Sequence, residues 1–230
     1  MNIISKIRGI YCIIVFGLST IFAIILIYLF KNKTPLIRRF WARSQMYFMN
    51  FSINSIGLPD PSAELLVINH QSLIDIVSLE ATFPKDICWI AKKEIQDIPI
   101  FGHMIKAPEM ISIDRNDRRS MIKMLASSKT KLENGRRIAI FPEGTRGDGK
   151  QLLKFQNGAK ILADKLNLKV QPILIIGSKY VFDSKKLVSH AGKVYIVYLD
   201  AFYPKEDVWY EALFHTMQER LTYESSKYLS

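Results

Sequence analysis

The sequence predicts an α/β domain, a mostly parallel mixed sheet flanked by helices, preceded by an N-terminal hydrophobic membrane helix and an amphipathic interfacial helix. Two patterns carry that expectation. From residue 64 onward, short apolar runs of strand length alternate with longer stretches of helical periodicity, the order that a parallel sheet with crossover helices requires. Ahead of them stands an uncharged apolar run over residues 9–30, followed by a stretch rich in aromatics and arginine.

Taken in order, residues 9–30 (GIYCIIVFGLSTIFAIILIYLF) reach about 33 Å as a helix against a hydrocarbon core of roughly 30 Å. A cleavable leader has a shorter apolar core and a small-residue cleavage site, whereas Lys31, Asn32 and Lys33 follow here, so the segment reads as a retained anchor. A helix dipping into one leaflet satisfies the same length. Lys6 and Arg8 lie upstream, while Lys31, Lys33, Arg38, Arg39 and Arg43 crowd the downstream side. By the positive-inside rule this places the chain at the cell membrane with its globular part on the cytoplasmic face.

Thr34-Pro35 supplies an N-cap and a first-turn proline for a second helix running to about Asn54. Ile37, Phe40, Trp41, Tyr47, Phe48 and Phe51 give it a broad apolar face, and Arg38, Arg39, Arg43 and Gln45 fall mostly elsewhere. That division suits a helix lying in the membrane interface among anionic headgroups; a helix that covers the domain is the ordinary alternative. Gly57-Leu58-Pro59-Asp60-Pro61 breaks the pattern, separating an anchor and interfacial region at 1–56 from a globular domain at 57–230. Within that domain strands are expected at 64–69, 87–91, 110–113, 137–141, 170–176 and 193–199, and helices at 73–82, 118–133 and 158–166.

The balance of 32 basic against 21 acidic residues leaves a net charge of +11, which favours an anionic partner: nucleic acid, a membrane surface or a phosphorylated substrate. Cys12 lies in the apolar run and Cys88 in an expected strand, so neither disulfide nor metal spacing is offered. His103, His190 and His215 also lack metal spacing. No metal and no disulfide are expected, and the compartment reads as reducing.

Chemistry concentrates at two strand ends. In Leu65-Leu66-Val67-Ile68-Asn69-His70-Gln71-Ser72-Leu73-Ile74-Asp75 a strand runs into a polar loop, and a helix starts at Leu73 with Ser72 as its cap. On one continuous helix, residues 70 and 75 would stand about 140° apart. Across a strand-to-helix turn, Asp75 on the first turn points back at His70. Such a carboxylate fixes the imidazole tautomer and leaves the other nitrogen to take a proton. Asp75 as a mere complement to the helix N-terminus is the plainer reading. The second strand end, Arg137-Ile138-Ala139-Ile140-Phe141, is stopped by Pro142 and followed by Glu143-Gly144-Thr145-Arg146. There Gly144 permits close backbone approach and Arg146 offers a planar fork suited to phosphate; a surface turn with a local ion pair has the same composition. No nucleophile accompanies the dyad, so the attacking hydroxyl belongs to a substrate.

Asn69-His70-Gln71-Ser72-Leu73-Ile74-Asp75 and Phe141-Pro142-Glu143-Gly144-Thr145-Arg146 resemble the NHxxxxD and FPEGTR blocks of the PlsC-like glycerolipid acyltransferases. Two further blocks follow the family order: Ala91-Lys92-Lys93-Glu94-Ile95 through Pro99 and Gly102 to Ile113-Asp114-Arg115, and Val170-Gln171-Pro172-Ile173. Lys154-Phe155-Gln156-Asn157-Gly158-Ala159 is similar to the segment that follows FPEGTR. The similarity spans residues 65–176, and its departures, such as Ile95 where the family often has leucine, are mild. It implies that His70 and Asp75 are the catalytic dyad of an acyltransferase domain at 57–230. Acyl-CoA or acyl carrier protein is the implied donor and the sn-2 hydroxyl of 1-acylglycerol 3-phosphate (lysophosphatidate) the acceptor, giving phosphatidate without a cofactor or metal. It further implies that Glu143, Gly144, Thr145 and Arg146 hold the acceptor, that Arg115 adds charge for its phosphate, and that Lys92, rather than Lys93, lines the site near the thioester. Pro172 takes a shaping role.

On this reading the surplus charge concentrates anionic lysolipid at an anionic bilayer surface, and nucleic acid is not a partner. Two competing readings keep part of the argument. One changes only the acceptor to another lysolipid; the other is a membrane-docked lipid-binding protein without catalysis.

Overall fold

The computed structural model describes residues 2–114, 117–205 and 208–228. Helix α1 (Ile3–Leu29) starts at Asn2, whose side chain accepts the Ile4 N–H. A short 3₁₀ turn then leads into α2 (Thr34–Phe48), with Pro35 in its first turn. Helix α2 ends six residues before the expected Asn54, and residues 51–56 form strand β1 (Phe51–Ile56). Phe51 is therefore a buried strand residue and no part of an interfacial helix face. The sheet takes this strand from before the boundary expected at Gly57.

From there strand and helix alternate: β2 (Leu65–Ile68), α3 (Ile74–Thr82), β3 (Ile87–Lys92), the short α4 (Lys93–Gln96) and α5 (His103–Lys106), and β4 (Ile111–Ile113). Then come α6 (Arg118–Glu133), β5 (Arg137–Ile140), α7 (Gly158–Leu166), β6 (Val170–Ile176), α8 (Ser178–Val181), the β7 (Phe182–Asp183) and β8 (Val188–Ser189) hairpin, β9 (Gly192–Tyr198) and α9 (Trp209–Tyr228). The main sheet runs in the order β1-β9-β6-β2-β5-β3-β4. Strands β6, β2, β5, β3 and β4 are mutually parallel; β9 is antiparallel to β6, and β1 parallel to β9.

Burial on both faces explains the continuous apolar runs in the sequence, since all seven residues of β6 and all four of β2 are buried. Leu65, Val67, Ile138 and Leu174 face a layer built from α6, α7 and α9, through Met124, Leu162 and Met217 among others. Leu66, Ile68, Ala139 and Ile175 face the opposite layer, which holds Ile74 and Val77 of α3, Ala42 of α2 and Cys12 and Phe16 of α1.

Arg38 and Arg39 of α2 turn toward the domain, contrary to their expected place among lipid headgroups, while Arg43 stays exposed. Arg38 is buried and pairs with Glu80 and Asp86 while donating to the Ile87 carbonyl. Arg39 caps the end of α3 through the Phe83 carbonyl, and Arg43 donates to the Ala81 carbonyl. Gln45 is also buried, bonded to Ser19 of α1. Outward, α2 shows the apolar Leu36, Phe40, Tyr47 and Phe48 beside the exposed Arg43. Helix α1 is likewise two-faced, with Cys12, Phe16, Ala23 and Ile27 turned to the protein and Ile7, Ile10, Ile14, Leu18, Ile25 and Leu29 exposed.

Candidate active site

The two chemical loops leave adjacent parallel strands, β2 and β5, at their carboxyl ends, where parallel sheets gather their sites. Asn69 fixes the exit from β2: its side-chain amide donates to the Ile175 carbonyl at 3.0 Å, and its oxygen accepts the Ile175 N–H at 2.6 Å. Helix α3 begins at Ile74, one residue later than the sequence pattern indicates. Ser72 still serves this end, accepting the Ile74 N–H at 3.2 Å while its own hydroxyl donates to the Phe182 carbonyl at 2.6 Å.

Asp75 is fully buried on the first turn of α3 and points back into the loop. Its Oδ2 lies 2.8 Å from His70 Nδ1 and also accepts the N–H groups of Gln71 at 2.6 Å and Ser72 at 2.8 Å. A carboxylate that receives three donors has one role toward the ring, that of acceptor, which assigns the imidazole proton to Nδ1 and leaves Nε2 bare. The ring is clamped in its other dimension by stacking on Phe141, with centroids 3.9 Å apart and planes 13° apart; Trp89 stacks on the far side of Phe141 at 5.2 Å. Trp89 in turn donates to Glu80, the carboxylate that Arg38 pairs with.

The second loop grips the main chain of His70. Glu143 Oε1 accepts the His70 N–H at 2.7 Å, and the Gly147 N–H donates to the His70 carbonyl at 2.8 Å. The other carboxylate oxygen of Glu143 accepts the Leu153 N–H at 2.7 Å. Glu143 is buried, and burial raises its pKa to about 7; the charges of Asp75 and Asp148 push the same way against the two N–H donors, which lower it. Gly144 turns the chain with φ at +66°, where a Cβ would be strained, and Thr145 is exposed. Arg146 is half-buried, and its guanidinium donates to the Ser184 hydroxyl at 2.6 Å.

The structure thus joins His70, Asp75 and Glu143 directly and puts Gly144, Thr145 and Arg146 in the same loop. Lys92 ends β3 on the same sheet edge, half-buried, and Lys93 beside it is exposed. Arg115 lies outside the described residues. Pro172 is buried in β6 opposite Val67, within the sheet. Sequence reading missed Phe141 as a ring partner and missed Ser184 and Lys179, which reach the 146–147 loop from beyond the end of the motif blocks. A phenylalanine at the head of FPEGTR reads as the last core residue of a strand, and nothing in the spacing of 179 or 184 points to residue 146.

No serine or cysteine stands ready beside the dyad among the described residues. The Ser72 hydroxyl is committed at both ends, and Cys88 is buried, which pushes its thiol up and away from thiolate.

Fold and site together define a class: an α/β protein with a histidine–carboxylate pair on the carboxyl edge of a parallel sheet and an arginine-bearing loop beside it. The chain belongs to the acyltransferase family, whose model, described as Acyltransferase, matches residues 54–176. It is 39% identical over 221 residues to a 1-acyl-sn-glycerol-3-phosphate acyltransferase of Helicobacter pylori, covering 94% of this chain and 92% of that protein. It is 30% identical over 221 residues to the chloroplastic 1-acyl-sn-glycerol-3-phosphate acyltransferase LPAT1 of Arabidopsis thaliana, covering 89% of this chain and 62% of the longer plant protein. The crystal structure of the 1-acyl-sn-glycerophosphate (LPA) acyltransferase PlsC from Thermotoga maritima shares the fold, with a TM-score of 0.74 at 20% identity over 98% of this chain and 96% of that one.

Proposed function

We propose that this protein transfers a fatty acyl chain from an acyl thioester, acyl-CoA or acyl carrier protein, to the sn-2 hydroxyl of 1-acylglycerol 3-phosphate, with His70 as general base. The observation that carries the reading is the 2.8 Å contact between His70 Nδ1 and the buried Asp75, which leaves Nε2 as a proton acceptor with no protein nucleophile beside it among the described residues. The relatives' names supply the acceptor.

In the proposed step Nε2 takes the proton of the acceptor hydroxyl as its oxygen attacks the thioester carbonyl. The C–O bond forms, the tetrahedral adduct collapses with loss of the C–S bond, and the leaving thiolate takes the proton back from the imidazolium. Asp75 stabilises that imidazolium, and the stacked face of Phe141 adds a favourable surface for its positive charge. A thioester is activated enough that no metal or cofactor is required. Arg146 supplies charge for the acceptor's phosphate, and the motif resemblance assigns Arg115, Lys92, Gly144 and Thr145 to the same task. Glu143 has both oxygens engaged by backbone N–H groups, so its part is to position His70.

The exposed apolar faces of α1 and α2 support attachment to a bilayer, and Lys6, Lys31 and Lys33, exposed near the ends of α1, support the cytoplasmic leaflet. The test is thiol release from palmitoyl-CoA by detergent-purified protein, with and without lysophosphatidate. Acceptor-dependent release with phosphatidate as product, lost in His70→Ala, is expected. Equal release by the two proteins would remove His70 from the chemistry.

A further inference from the structure

Residues 178–190 lie beyond the segment matched by the family model, yet they join the membrane-facing helix to the catalytic loops. On the catalytic side, the Phe182 carbonyl accepts from Ser72, the Ser184 hydroxyl accepts from Arg146 at 2.6 Å, and Lys179 Nζ donates to the Gly147 carbonyl at 3.2 Å. On the other side, the Ser189 hydroxyl accepts from both Arg8 and Cys12 of α1 at 3.3 Å, and Gly9 fits so closely on the Leu187 carbonyl that a Cβ there would overlap it. The arm is therefore braced between α1 and the loop that carries Arg146.

Its polar groups are incompletely used. Among the described residues no carboxylate pairs with Arg146; its hydrogen bond goes to a neutral hydroxyl. Accepting that bond leaves the Ser184 proton free to donate. Lys179 is held by Gly147 and by Asp183, 3.5 Å away, which keeps its ammonium against the 146–147 loop, and an ammonium has three donors to give. Against these two cations and one hydroxyl donor stand two carboxylates already engaged, Asp183 by Lys179 and Asp148 by the Lys150 and Gln151 N–H groups, a local balance that suits a phosphate monoester dianion.

We propose that Lys179 and Ser184 complete the acceptor's phosphate site, so that the 178–184 arm sets the preference for a phosphate-monoester headgroup. This rests on the reading of Arg146 as the acceptor's partner. Ser184 gives one hydrogen bond to the phosphate and holds the guanidinium fork in line, while Lys179 adds charge from its place against Gly147. A diester headgroup, with one charge fewer and added bulk, gains less from the same groups.

The experiment measures KM for lysophosphatidate in mixed micelles at saturating palmitoyl-CoA, and KM for palmitoyl-CoA at saturating acceptor, for wild type, R146A, S184A, K179M and K179R. Loss of one charge-assisted hydrogen bond to phosphate should raise the acceptor KM about tenfold in S184A and in K179M. The donor KM should hold, and K179R should recover most of the loss. S184A removes one oxygen from a half-buried loop and carries the test should K179M fail to fold, as read by circular dichroism. A raised acceptor KM in R146A with wild-type values in S184A and K179M overturns the arm's role and leaves Arg146 in place. An unchanged acceptor KM in all three removes Arg146 and the arm together. Weaker binding of S184A and K179M to phosphatidylglycerol vesicles, with acceptor KM unchanged, would make the arm a contact for bulk anionic lipid and overturn the assignment.

Discussion

At the scale of single residues, the site is organised by carboxylates that serve the histidine from two directions. Asp75 addresses the ring and Glu143 the main chain, and both are buried. That arrangement has a measurable consequence for Glu143. Unfolded, its carboxyl titrates near 4.5; folded, burial holds the proton up to about 7. Between those values the folded state binds more protons than the unfolded one. Stability therefore falls as pH rises through the window, by at most about 3 kcal/mol, and the whole penalty is present above it. Glu143→Gln does not titrate, so its stability relative to wild type should rise between pH 4.5 and about pH 8. Denaturant midpoints in detergent across that range check this, and a pH-independent difference between the two proteins would refute it. The contact between His70 and Asp75 was legible in the sequence because both residues fall within one loop and one helical turn. Glu143's attachment to His70 was not, since it joins residues 73 positions apart through backbone N–H groups that carry no side-chain signature.

Elements show where local pattern and tertiary context part. The six strands expected from apolar runs all form, because a strand buried on both faces advertises itself by composition. Strand β1 was hidden: Phe-Ser-Ile-Asn-Ser-Ile follows an aromatic-rich helix without a break, and its partner β9 begins at Gly192, so only the completed sheet decides that it is extended. Helix α2 was recognised, and Phe40, Tyr47 and Phe48 of its expected apolar face are exposed, but the place of Arg38 was not foreseen, because arginine reads as an outward residue unless its carboxylate partners are known. Those partners, Glu80 and Asp86, lie more than forty residues away. Arg38 consequently acts as a latch beneath the sheet, and Glu80 carries that contact on to Trp89 and the ring stack over His70. Arg38→Ala leaves buried acid without its partner and should cost about 3 kcal/mol or more of stability. Thermal unfolding of the two proteins in the same detergent measures it. A loss below about 1 kcal/mol, the value of an exposed pair, would show that water reaches this cluster.

On the scale of the whole molecule, the decisive feature is that α1 does not leave the body of the protein. Its contacts run from Arg8, bonded to the Met49 carbonyl and Ser189, through Ser19, which accepts from Trp41 and Gln45, to Tyr28, whose hydroxyl meets His103 at 2.6 Å. Twenty residues of helix extend about 30 Å, the full depth of a hydrocarbon core. A perpendicular α1 would therefore drag α2, the β7–β8 hairpin and α5 to the same depth, with their loop carbonyls and charged side chains exposed to lipid, which a bilayer does not tolerate. The apolar stripe of Ile7, Ile10, Ile14, Leu18, Ile25 and Leu29 continues in kind on Leu36, Phe40 and Tyr47 of α2, and such surfaces suit a helix pair sunk into one leaflet. The length and apolarity of residues 9–30 were plain in the sequence, but whether such a helix spans depends on what it packs against, and no hydropathy window contains that. The alternatives separate by topology. A leaflet-bound α1 keeps Asn2 and Lys31, which flank it, on one side of the membrane; a spanning α1 puts them on opposite sides. Both native cysteines are buried, so single cysteines introduced as N2C and K31C can be labelled in sealed vesicles with a membrane-impermeant maleimide. Both should react from the same face and to a similar extent, whereas labelling of one site only before permeabilisation, and of both after it, would establish a span and require α1 to detach from the domain.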